Sequence, residues 1–122
     1  MPARDAHLQQ ARDNRAHAEW LNRVNPDDAT ARQWLITAAF YCSVHCIEAH
    51  LARHDLHCRS HLDRRAAMAD LAYNVPGTVY FTYTRLEEWS RGARYDLVPC
   101  TPRRVEEALR SYLPIVTAFV GL

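Results

Sequence analysis

Lysine is missing from this chain: all fifteen basic side chains are arginine. A total absence of that kind reflects coding-sequence composition more simply than any local site, although arginine is also the better bidentate partner for phosphate. Glycine is scarce, with three in 122 residues, and no Gly/Ser- or Pro-rich stretch marks a linker or a disordered tail. One domain, residues 1–122, is expected from that length. No apolar run approaches the ~18 residues of a membrane span. The N-terminus, MPARDAHLQQ, is polar from the start, so no signal peptide is predicted. These absences predict a cytoplasmic protein that avoids membranes and keeps its four cysteines reduced. A surplus of either charge is lacking as well. The formal net charge of +1 argues against purely electrostatic binding of nucleic acid.

What is present is helical periodicity. Residues from about 4 to 24 carry a thin apolar stripe, Leu8, Ala11, Ala18 and Leu21. In "NPDD", Asn25 suits an N-cap, Pro26 a first helical position, and Asp27 and Asp28 the helix dipole. The second helix is expected to run from there to about Arg53. Ser60 with Asp63 opens a short third helix. Pro76 and Gly77 break the chain. "TVYFTYT" has strand-like composition, yet Tyr83, Leu86, Trp89 and Ala93 recur at helical spacing and predict a fourth helix to about Arg94. Thr101 and Pro102 start the last helix, which Pro114 should kink. The fold class is therefore all-α: an up-and-down helical bundle of about five helices, three of them long.

Residues 39–61 hold five of the seven histidines and three of the four cysteines. On the second helix, Leu35, Ala38, Ala39, Cys42, Cys46 and Ala49 form a face of small groups. Ile36, Phe40, Val44, Ile47 and Leu51 form a face of large ones. A helix apolar on both sides is a central helix, and Cys42 and Cys46 read as small hydrophobes within it. Cys42, Cys46, His50 and His54 recur every four residues, but at 3.6 residues per turn they drift through about 120°, so one ion cannot be held by all four. No metal and no cofactor is expected for the protein. A pair such as His50 and His54, helped by His57, Cys58 or His61, is the alternative, and a metal- or redox-responsive protein is the function it would imply. Tyr41 and Glu48, seven apart, share one stripe of the helix.

Three blocks occur in an order that resembles the HEPN superfamily, particularly its small stand-alone prokaryotic members. "AAFYCSVHCIEAHLARHDL" (38–56) is similar to the family's central helix, with alanines, an aromatic pair, a histidine, an acidic residue and a leucine-rich end. "CRSHLDRR" (58–65) is similar to the segment carrying a Ser/Thr-His pair. "RLEEWSRGARYDLVPCTPRRVEEALRSYLPIVTAFV" (85–120) is similar to the end of the family.

The resemblance implies a helical bundle, usually a homodimer, associated with nucleotide or RNA binding, RNA cleavage or toxin–antitoxin and stress settings. A partner protein such as a small nucleotidyltransferase belongs to that setting. Residue by residue it implies a binding surface of Tyr41, His45 and Glu48 from the central block, His61 from the Ser-His pair, and Arg91, Arg94, Tyr95 and Asp96 from the late block. Ribonuclease members carry an arginine followed four to six positions later by a histidine, late in the fold. Here the last histidine is His61, so no catalytic residue is assigned. The expectation is a non-catalytic or divergent module, and the alternative is a ribonuclease using His45 or His61. Within this surface Arg94, nearer the buried face, is expected to reach Tyr41, His45 and Glu48, with Arg91 held by Glu87 four residues before it.

Overall fold

The computed structural model describes residues 3–122, which form an all-α bundle. α1 spans Arg4–Val24, α2 Ala29–Ala52, α3 His61–Ala69 and α4 Gly77–Tyr95. α5 (Pro102–Glu107) and α6 (Leu113–Phe119) form one rod through a π-helical turn at Ala108–Tyr112. A 3₁₀ turn, Leu71–Tyr73, leads from α3 towards α4.

Local chemistry sets most boundaries as expected. The Ser60 hydroxyl accepts the Asp63 N–H at 3.0 Å and opens α3. Thr101 accepts the Arg104 N–H at 3.2 Å and opens α5, with Pro102 in its first turn. The start of α2 differs. Asn25 does not cap it, because the Asn25 N–H closes α1 on the Leu21 carbonyl. Pro26 and Asp27 turn the chain, and Asp28 is the cap, accepting the Thr30 N–H at 2.9 Å. Near Pro114 the expected kink takes the form of the π-helical turn just before it. Pro114 has no N–H to offer the turn below, and widening that turn relieves the clash of its ring.

α2 is the central helix, packed on α1, α4 and the last rod. Leu35, Ala39, Cys42 and Cys46 on one face, and Ile36, Phe40, Ile47 and Leu51 on the other, are all buried. α1 runs along the small-residue face, placing Arg15 and Glu19 near Cys42. On the large face the Phe40 ring meets Tyr83 of α4 at 5.5 Å and His61 of α3 at 5.4 Å. By length and composition α2 could cross a membrane, which the sequence reading did not register; 78% of its most apolar window is buried inside the bundle, so the core accounts for its hydropathy.

Residues 38–47 should therefore hold the slowest-exchanging amides, and Phe40→Ala should cost about 3–5 kcal/mol in urea unfolding. Rapid exchange there, or a cost below about 1 kcal/mol, would contradict the central placement of α2.

Candidate functional site

The Ser60 cap fixes the first turn of α3, and with it the direction of His61 and Arg64. Arg64 is only 6% exposed. Its Nε donates to Glu48 Oε1 at 2.8 Å, and its Nη1 donates to His61 Nδ1 at 3.0 Å and to the Tyr83 hydroxyl at 3.2 Å. Three helices meet on this one guanidinium. Burial works against the Arg64 charge, but Tyr83 and Glu48 outweigh it and hold its pKa above the ordinary value. Burial also pushes the Tyr83 phenol up to about 12, so it stays protonated.

Arginine has no acceptor, so His61 Nδ1 must supply the lone pair in its bond with Arg64. The neutral imidazole then carries its proton on Nε2. Burial and then Arg64 lower the His61 pKa, which favours that neutral form. Around it lies a second carboxylate, Glu87, 4% exposed. Arg91 approaches Glu87 at 3.5 Å, Arg65 at 3.6 Å and His61 at 3.9 Å. Glu87 Oε2 has no hydrogen-bond partner among the described residues. Two guanidinium groups, Arg65 and Arg91, thus share the neighbourhood of one carboxylate, and His61 feels both Arg91 and Arg94.

Arg94 reaches Tyr41 of α2, but no contact joins it to His45 or Glu48 among the described residues. Its guanidinium lies 5.8 Å from the Tyr41 ring and 5.0 Å from the Tyr95 ring, and its Nε donates to the Ser90 carbonyl at 3.3 Å. Its terminal nitrogens meet no protein acceptor among the described residues. The Tyr41 ring is also 6.5 Å from His61. Tyr41, His61, Arg91 and Arg94 therefore form one face, with Tyr95 beneath Arg94. Asp96 is exposed at the end of α4, and no ion pair joins it to Arg91 or Arg94 among the described residues. Glu48 lies behind the face, engaged by Arg64.

His45 belongs elsewhere. Its Nδ1 is 3.0 Å from Nδ1 of His7, on α1. Burial lowers the pKa of both rings. The remaining Cys/His ladder is spoken for: Cys42 and Cys46 are fully buried, and a shared hydrogen bond and then burial raise the Cys46 pKa. His50 Nε2 donates to the Tyr73 carbonyl at 2.6 Å, and His54 packs edge-on against Tyr73. Sequence reasoning missed Arg64 and His7, and gave Glu87 only as the helical partner of Arg91, not as a buried carboxylate. Each sits on the apolar stripe of its helix: Arg64 with Ala67 and Met68, Glu87 with Tyr83 and Ser90, His7 with Leu8 and Ala11. A charged or polar residue at a core position is the signal that would have found them.

Removing one partner of a buried ion pair strands the other, so Glu48→Ala should destabilise by about 3–5 kcal/mol. Replacing both, as Glu48→Leu with Arg64→Met, should recover most of that loss in urea unfolding. A single substitution costing under about 1 kcal/mol would mean a hydrated pair. Comparison with protein-family models, curated proteins and solved structures finds no match to this chain.

Proposed function

We propose that the face formed by Arg94, Arg91, His61 and Tyr41 binds a phosphate-bearing ligand, RNA or a nucleotide, in a non-catalytic or divergent HEPN-like module of the cytoplasm. The observation that carries this reading is the unspent cationic capacity of Arg94, beside a neutral His61 whose Nε2–H is free to donate. Arg94 is half-buried between two tyrosine rings. A guanidinium so held offers its planar donor edge at little entropic cost, and partial desolvation strengthens its bond to phosphate. Tyr41 supplies a ring on which a base can stack. Arg91 is more exposed and partly engaged by Glu87. A toxin–antitoxin or stress setting, with a nucleotidyltransferase-like partner, is consistent with this chemistry.

The ribonuclease reading has one point in its favour: the His61 Nε2–H could serve as a general acid. It lacks a base. His45 is paired with His7, and His61 Nδ1 is engaged by Arg64. The proposal is therefore binding without cleavage.

A homodimer remains part of the proposal, on grounds other than the resemblance alone. α2 is covered within its own chain and is not the surface for it. Trp34, Tyr95 and Leu97, however, line one hollow beside Arg94 and are 57%, 71% and 78% exposed. Leu97 has φ +53°, in the left-handed region where helix ends favour glycine. An isologous contact there would bury these side chains and place Arg94 at its edge.

Arg94→Lys should abolish most binding of a short single-stranded RNA, while Arg91→Lys changes it little, at both low and moderate salt. Equal losses that scale only with salt would indicate diffuse attraction, and a lower melting temperature with unchanged binding would make Arg94 a brace. In sedimentation at micromolar concentration the chain should run as a dimer that Trp34→Glu dissociates; a monomeric wild type refutes the dimer but leaves the Arg94 result standing.

A further inference from the structure

At the Glu48 end of the Glu48–Arg64 pair lies a second constellation that the phosphate-binding reading does not use. His7 from α1, Glu48 from α2 and His57 from the loop between α2 and α3 each bring a donor atom within 4.8 Å of the others. They line a hollow of about 180 Å³ with His45 and Cys58.

His7 is 8% exposed, and its Nε2 has no hydrogen-bond partner among the described residues. A buried polar atom without a partner is costly. Its other nitrogen, Nδ1, faces His45 Nδ1 at 3.0 Å. With the proton on His7 Nδ1 and donated to His45, the bare lone pair is on Nε2. That is how a metal-ligating histidine is usually oriented, one nitrogen donating to a neighbour and the other free for the ion. Glu48 is similarly half-committed. Oε1 takes the Arg64 bond at 2.8 Å, whereas among the described residues Oε2 accepts only a long N–H contact from Cys58 at 3.4 Å.

We propose that His7, Glu48 and His57 bind one divalent transition-metal ion of the zinc class, with His45 as the positioning residue for His7. Two imidazoles and one carboxylate suit zinc; magnesium and calcium prefer oxygen alone. Donors on a tetrahedral zinc lie roughly 3.3 Å apart, so loading requires His57 and its loop to draw in by up to about 1.5 Å. The fourth position stays open to water. Arg64 repels the ion, but it is tied to Oε1 and leaves Oε2 to coordinate. This set is distinct from the Cys42/Cys46/His50/His54 ladder, whose members are buried or packed on Tyr73.

The test uses the full chain without a histidine tag, titrated calorimetrically with Zn²⁺ and examined by visible absorption with Co²⁺. One ion per chain is expected, with a Co²⁺ spectrum free of thiolate charge-transfer bands and a melting temperature raised by Zn²⁺. His57→Ala, in a half-buried loop position that the core does not need, should weaken binding ~100-fold or more, and His45→Phe ~10–100-fold. His54→Ala should leave it unchanged. Absence of saturable binding, binding that survives His57→Ala, or thiolate bands in the Co²⁺ spectrum would each overturn the proposal. RNA binding through Arg94 is a separate readout, so failure of either reading is visible without the other.

Discussion

The contact between Arg64 and Glu48 is the constraint on which the polar architecture of this bundle depends. Both side chains are almost entirely removed from water, so each charge would be prohibitively expensive without the other. The pair therefore fixes the approach of α3 to α2. The rest of the guanidinium then determines what surrounds it: Tyr83 is bound from α4, and His61 is held in a single tautomer. Shift α3 by a turn and Glu48 is stranded, Tyr83 loses its donor, and His61 leaves Phe40. Specificity of packing, more than net stability, is what such a pair contributes.

The same pair divides the surface chemistry. Near its Arg64 end, Arg65 and Arg91 both approach Glu87, and Arg91 and Arg94 both act on His61, the face proposed to take an anion. Near its Glu48 end, histidines gather around a carboxylate that one arginine only half satisfies, and that side suits a cation. Neither character follows from the overall charge of +1. Both follow from which carboxylate each helix turns inward.

Much of the fold was legible in the sequence because it rests on local rules. The two apolar faces of α2, the caps at Ser60 and Thr101, and the helical spacing of Tyr83, Leu86, Trp89 and Ala93 all depend on neighbours a few residues apart. The start of α2 was misread because Asn25 and Asp28 are both competent caps, and only the closure of α1 decides between them. The site was legible in part. Tyr41, His61, Arg91 and Arg94 do converge, since each lies on a predictable helix face. His45 was assigned to that face and instead turns to His7, thirty-eight residues away in sequence, a pairing no local pattern encodes. Asp96 stands apart because α4 ends before it.

The missing lysine returns here as a local matter. Arg64 meets Glu48 through Nε and reaches His61 and Tyr83 through Nη1, two separate atoms of one rigid plane. A lysine would have to serve all three partners from a single nitrogen at the tip of a flexible stem. It would also be prone to lose its proton on burial, whereas the guanidinium keeps its charge. Whatever made the chain all-arginine, the interior has come to rely on the difference. The buried position 64 needs a spread of donors that only arginine supplies, and Arg94 sets the same planar shape near two tyrosine rings.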